Sequence, residues 1–287
     1  MRNVIVIGAG MAGLTAARAL VDYGFDVKIL EARDRPGGRI WTDRSLGVPI
    51  DLGAGWIHGW RSNPLYSLTR QFGIPTQSTD YTGSLLLDDS GREPTSMRKL
   101  LFSSRANRIL TRLRRLAQSL RKDDGSGDIS IAEGVEIILR ESSFSPQEMC
   151  FLNRHLIEFQ ALNAATLDEQ SLFAITDGSC CFAGHDLAFP TGFDSLVKAY
   201  SSGLQINYGE TLTSIKGGAK TVSIQTDKEA HQADAAVVTL PLGVLKSGTV
   251  IFDPPLPMHM QKSISEIRMG SFNKIAMRFP SVFWRND

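Results

Sequence analysis

The sequence has little of what marks several large protein classes. Its three cysteines, Cys150, Cys180 and Cys181, have no metal-ligand spacing, and the adjacent pair cannot readily join to itself. A zinc module and a disulfide framework are therefore excluded, and a reducing cytoplasm is the simplest compartment. Charge of one sign is also missing. The 31 basic and 30 acidic residues leave a net +1, so no broad field for nucleic acid or another polyanion is implied. Gly, Arg or Asp interrupt the longest apolar stretches, so no membrane span is expected. The first β run opens at residue 3, which leaves no room for a signal or transit peptide. No internal repeat and no Ser/His/Asp or metal constellation is present. What remains is ordinary globular material, 42% hydrophobic and 21% charged, and its 287 residues suffice for about two domains.

The first forty residues carry the strongest motif. Val4-Ile5-Val6-Ile7 is a short apolar β run that breaks at Gly8-Ala9-Gly10-Met11-Ala12-Gly13 and passes into a helical pattern, Leu14 to Val21. Gly24 ends that helix, and Asp26 to Leu30 forms a second strand with Glu31 at its end. Gly8 permits the tight turn, Gly10 lets the backbone approach a pyrophosphate, and Gly13 lets helix and strand pack closely. The helix N-terminus offers free N–H groups to phosphate. Glu31, eighteen residues beyond Gly13, can accept hydrogen bonds from ribose hydroxyls. The chain then continues through Ala32-Arg33-Asp34-Arg35-Pro36-Gly37-Gly38-Arg39. This Pro-Gly-Gly turn gathers N–H groups and sets the planar donor fork of Arg39 beside them, a second grip for a diphosphate.

The run from Glu31 to Arg39 resembles the flavin-dependent amine oxidases: monoamine and polyamine oxidases and the flavin-type histone demethylases. By that resemblance the cofactor is FAD. Glu31 and Ala32 bind its ribose end, Arg33 lies near the adenosine, and Gly38 and Arg39 lie near the pyrophosphate and flavin. The same pattern also fits carotenoid desaturases and protoporphyrinogen oxidases, so it names the FAD superfamily and not the reaction. Asp51-Leu52-Gly53-Ala54-Gly55-Trp56-Ile57-His58-Gly59 is similar to the polyamine-oxidase sequence D/E-L-G-A-x-W-I-H-G. The match implies that Gly53, Ala54, Gly55 and Trp56 contact the flavin and that His58 faces the substrate. By itself, a single His beside Trp reads as packing or as a satisfied hydrogen-bond partner.

The pattern predicts an α/β fold in which a Rossmann-like FAD-binding domain, residues 1–75 and 188–255, is split by a mainly helical substrate domain at 76–187. Residues 256–287 are expected to begin the substrate-domain sheet. A hairpin is expected at Leu85 to Gly91, and helices at Ser96 to Lys122, 130–142 and 145–163. The first helix carries many Arg and Lys residues, read as a solvated face opposite an apolar stripe. Strands are expected at Leu204 to Ile215, Thr221 to Asp227 and Ala235 to Leu240. The resemblance places the main chain of Leu212 against the adenine and brings Thr239 and Pro241 to the cofactor's border.

Asn273-Lys274-Ile275-Ala276-Met277-Arg278-Phe279 alternates polar and apolar residues and predicts a half-buried strand. Read alone, Lys274 sits on its wet face. Its context, Gly270 to Ile275 and then Phe279-Pro280 and Phe283-Trp284, resembles the segment that carries the amine oxidase lysine. There the lysine holds a water against flavin N5 and assists proton movement. The implied reaction passes a hydride equivalent from a small amine to the flavin. The imine hydrolyses, and oxygen reoxidises the cofactor to release hydrogen peroxide. The resemblance covers nearly the whole chain, but the chain stops where the family continues, and a truncated product is expected. An amino-acid oxidase or desaturase, or a non-catalytic nucleotide-binding remnant, stays open.

Overall fold

The computed structural model describes residues 2–80, 92, 95–123, 127–141, 144–176 and 182–283. The chain divides into two compact units. One is Met1–Thr79 with Phe182–Met269 and Lys274–Phe283; the other is Asp80–Cys181 with Gly270–Asn273 and Trp284–Asp287.

The first unit opens with β1 (Asn3–Ile7), α1 (Met11–Asp22) and β2 (Asp26–Glu31). Val4, Ile5, Val6 and Ile7 are all buried, as a strand covered on both faces requires. Gly24, at φ +82°, turns the chain out of α1. Beyond β2 come the small pairs β3 (Thr42–Asp43) and β4 (Ile50–Asp51), then β5 (Trp56–Ile57), α2 (Pro64–Gln71) and β6 (Gln77–Ser78). Asn63 caps α2 by accepting from the Leu65 N–H at 3.0 Å, with Pro64 in the first turn, where no amide is needed.

The second unit is helical: α3 (Ser96–Lys122), α4 (Ile131–Arg140) and α5 (Pro146–Asn163). Ser130 with Glu133 and Ser145 with Glu148 form capping boxes that start α4 and α5. Ile109, Leu113 and Ala117 from α3 are buried with Ile131, Val135 and Ile138 from α4 and Leu152 and Leu156 from α5. Arg108, Arg114, Arg115 and Lys122 stay exposed, so the basic residues of α3 described here lie on its solvated side. The expected hairpin at 85–91 falls outside the described residues, as do Cys180 and Cys181; Cys150 is exposed and free.

The chain returns to the first unit through β7 (Leu187–Ala188), α6 (Asp194–Ser201), β8 (Gln205–Tyr208), β9 (Leu212–Gly217), β10 (Val222–Thr226), β11 (Ala230–Ala233), β12 (Ala235–Val238), α7 (Leu242–Ser247), β13 (Ile251–Asp253) and α8 (Met258–Glu266). A four-stranded sheet in the order β12-β1-β2-β8 is parallel throughout. A second sheet, β11-β10-β9-β13, is antiparallel except for its β13–β9 edge. β7 pairs antiparallel with both β5 and β6. The period-2 alternation of β1 decides the layering. Val6 packs with Leu14 and Ala17 of α1 and Leu196 and Val197 of α6. Ile5 and Ile7 pack instead with Leu212, Ile215 and Ile224 of the second sheet. Helices therefore cover one face of the parallel sheet and strands the other.

Two expectations need correction. Leu204 to Ile215 is not one strand, because Gly209 at φ +67° breaks it into β8, on the parallel sheet, and β9, on the antiparallel one. Asn273 to Phe279 is not a strand either. The alternation is there, but no strand among the described residues pairs with it, and an extended segment becomes a strand only through a ladder. Lys274 alone of this run is half-buried.

The glycine turn fixes the helix against β1. A Cβ on Gly13 would stand 1.9 Å from the Gly8 carbonyl oxygen. Gly13→Ala is expected to lower stability by about 3 kcal/mol through forced separation of helix and strand, read as a shifted urea midpoint at unchanged slope.

Candidate cofactor and active site

At the carboxyl ends of β1, β2 and β12 lies a cleft of about 510 Å³. This is the crevice where open parallel α/β sheets hold ligands. Its wall brings together Gly8, Gly10, Ala12, Glu31, Ala32, Arg33, Gly38, Arg39 and Leu212. Thr239 and Pro241 line it as well. Gly13 stands just behind, packed on Gly8.

These residues fit a dinucleotide diphosphate. At Gly10 nothing lies within 4 Å of where a Cβ would stand, so bare main chain faces open space. The N-terminus of α1 has no side-chain cap and no acidic residue in its first turn, which leaves its positive end to the cleft. The Pro-Gly-Gly turn lies alongside, because the Gly37 N–H donates to the Ala9 carbonyl at 2.8 Å. Gly37 and Gly38 hold φ of +100° and +58°, a geometry that other residues rarely adopt. The Arg39 side chain is exposed at the wall and has no partner among the described residues, so its donor fork remains available.

Glu31 is buried, and its carboxylate joins two turns. Oε2 accepts from the Ala9 N–H at 2.7 Å and Oε1 from the Arg33 N–H at 2.9 Å. Each oxygen keeps a lone pair that a ribose hydroxyl can use. Arg33 donates to the Gly38 carbonyl at 3.2 Å.

A second hollow, of about 410 Å³, is lined by Ile50, Asp51, Gly55, Trp56, Ala188, Phe189, Lys274, Ile275 and Ala276. Lys274 Nζ donates to the carbonyls of Asp51 at 2.8 Å and Gly53 at 2.6 Å, and lies 5.0 Å from the Trp56 ring centroid. Burial lowers the Lys274 ammonium below the ordinary lysine value, against the opposing pull of the Asp51 charge. Gly53 and Ala54 connect the two hollows. The Ala54 N–H donates to the Arg39 carbonyl at 3.2 Å, and a Cβ on Gly53 would stand 1.8 Å from that same oxygen.

His58 joins neither hollow. Its ring is exposed, with Nδ1 2.8 Å from Asp186 Oδ2. Asp186 also accepts from the Gly59 N–H at 3.0 Å, so the pair fastens the turn after β5.

Several residues that sequence reasoning passed over hold this arrangement. Arg35 donates to the carbonyls of Pro36, Gly38 and Ile40 at 3.2, 3.1 and 3.0 Å and ties the glycine turn from behind. Its place directly before Pro36 offered a hint, since Arg35 and Arg39 flank the turn and supply two donor forks to it. Asp51 accepts from the Phe193 N–H at 3.0 Å and from the Thr42 hydroxyl. Asp194, at the start of α6, receives Arg44 at 2.8 Å and Lys198 at 2.7 Å. The spacing of Asp194 and Lys198, one helical turn apart, was the available signal.

The chain belongs to the flavin containing amine oxidoreductase family, whose model matches residues 11–287. This is a family of oxidoreductases with FAD as cofactor. Lysine-specific histone demethylase 1 homolog 1 of Arabidopsis thaliana is 35% identical over 99% of this chain and 35% of its own length. Polyamine oxidase 2 of the same plant is 34% identical over 98% of this chain and 59% of its own. The chain thus spans roughly a third to three-fifths of these relatives. A solved structure of wild-type putrescine oxidase bound to putrescine shares the fold, with a TM-score of 0.72, 20% identity, and coverage of 94% of this chain and 64% of that one. No helix among the described residues is long and apolar enough to cross a membrane.

Burial pushes the Asp194 carboxyl up, but hydrogen bonds from Arg44 and Lys198 outweigh it and bring the pKa down to about 2. A carboxyl lowered on folding adds stability above its unfolded pKa, near 3.8, and loses it as pH falls toward about 2. Because both partners are largely exposed, Asp194→Asn is expected to cost only about 1 kcal/mol at pH 7. Thermal melts should show the difference from the parent vanishing between pH 4 and pH 2.

Proposed function

We propose that the chain carries the cofactor grip and the proton-handling lysine of an FAD-dependent amine oxidase of the polyamine type. The observation that carries this reading is Lys274, held by the Asp51 and Gly53 carbonyls beside Trp56 while Gly53 and Ala54 lead back to the wall of the glycine cleft. Flavin residues and a lysine with a lowered pKa thereby belong to one connected segment. The relatives' names support the substrate class, since they include polyamine oxidases.

In this reading Glu31 holds the ribose of FAD, and Gly10, the α1 N-terminus and Arg39 hold the diphosphate. Leu212 meets the adenine through its main chain, and Gly53, Ala54, Gly55 and Trp56 border the flavin ring. Bound FAD supplies a two-electron acceptor for the amine C–N bond. The protein does the rest. Trp56 gives a flat apolar wall that keeps water from the amine's carbon. Lys274, more readily neutral than an ordinary lysine, takes a proton and keeps a water in place for hydrolysis of the oxidised C–N bond. His58, paired with Asp186, stands at the approach for the amine. The net change is amine, oxygen and water to carbonyl compound, released amine and hydrogen peroxide.

Reconstitution with FAD followed by a visible spectrum tests the first half of this reading, and peroxide release with spermine or spermidine tests the second. Lys274→Met is expected to keep FAD bound while slowing turnover about a hundredfold or more. A chain that takes up no FAD and makes no peroxide would overturn the proposal.

A further inference from the structure

A buried acid in the wall of the cleft is paired with a buried imidazole behind it, and nothing above gives them a role. Glu210, in the turn between β8 and β9, has a side chain only 6% exposed, and His231 of β11 only 7%. His231 Nε2 lies 2.8 Å from Glu210 Oε2, and Asn207 Nδ2 donates to Oε1 at 2.8 Å. The Thr226 hydroxyl reaches Oε2 at 3.4 Å, and the exposed Glu229 carboxylate comes within 3.8 Å of the same imidazole nitrogen. Burial pushes the Glu210 carboxyl up, but the hydrogen bonds from His231 and Asn207 win and leave it below its ordinary value. The carboxylate therefore stays charged, though a buried charge needs such partners merely to be tolerated.

What this arrangement secures is the main chain on either side. The Glu210 N–H donates to the Glu31 carbonyl at 3.0 Å, and the Gly209 N–H donates to the Arg33 carbonyl, also at 3.0 Å. The turn thus clasps the stretch that presents Glu31 and Arg33 to the cleft. Glu210, Thr211 and Leu212 line the same cleft. A plain apolar residue at 210 would fill the space without fixing the turn's rotation. A carboxylate held on both oxygens sets it in one position.

We propose that Glu210 and His231 are positioning residues of the dinucleotide cleft, acting through the 209–210 turn on Glu31 to set how tightly an adenine dinucleotide is held. The inference rests on the reading that this cleft takes FAD. Flavin fluorescence titrations on the whole chain test it with Glu210→Gln, His231→Leu, Glu31→Gln and the double variant Glu31→Gln/His231→Leu, with ADP as competitor. Each of the Glu210 and His231 substitutions should weaken FAD and ADP together by about tenfold. The double variant should bind within about threefold of Glu31→Gln alone, because both changes act through one group. Amide exchange at Gly209 and Glu210 should speed up in His231→Leu, and this reading decides the matter should Glu210→Gln not fold. Strictly multiplicative losses in the double variant, or unchanged affinity with unchanged exchange, would overturn the inference while leaving the FAD reading intact. Absence of FAD binding by the parent chain would overturn both.

Discussion

The first unit depends on one carboxylate that binds main chain before it can bind any ligand. Glu31 accepts from the amide of Ala9 in the glycine turn and from its own strand's continuation at Arg33. A buried acid with two short, charge-assisted bonds is costly to move. It locks the end of β2 to the mouth of β1, and the rest of the cleft is measured from that junction. The Pro-Gly-Gly turn meets Ala9 from the other side, and the 209–210 turn hangs from the Glu31 carbonyl. Three chain segments far apart in sequence are thus referred to one residue. The apolar layers on the two faces of the sheet hold the strands whose ends carry this junction.

Much of this was legible in the residues. The apolar run of β1, the glycines and the stripe of α3 each state a local rule, and in each the fold obeys it. The cleft residues could be read for the same reason, since glycine at three fixed spacings has few mechanical uses. What could not be read were pairings set by tertiary contact. Gly209 looks like any turn glycine, yet it is where the chain passes from one sheet to the other. Asn273 to Phe279 has the alternation of a strand, but alternation records which side faces outward and says nothing of a partner. The partners of Asp51 and Glu210 lie in other segments, 142 positions away for Phe193 and 21 for His231. No local pattern contains them.

His58 marks the limit of resemblance as an argument. Its neighbours in sequence border Lys274, while its own ring turns to Asp186 in the open. The resemblance has it face the substrate, and it stands just beyond the end of β5. Trp56 borders the hollow of Lys274, whereas His58 and the Gly59 N–H both bond Asp186.

Lys274 differs from every other residue in the two hollows in how it is held. The segment around it has no ladder, and most of its side chains are exposed. The ammonium group, bonded to the Asp51 and Gly53 carbonyls, is thus one mooring of the segment, with Arg278 on the Leu46 carbonyl as another. Reactive head group and structural anchor are the same nitrogen. A chemical change that spends its hydrogens, such as acylation of the amine, would do more than silence a proton carrier. It would also loosen the strip beside the hollow, leaving Arg278 on the Leu46 carbonyl as a remaining tie, so chemistry and enclosure would weaken together.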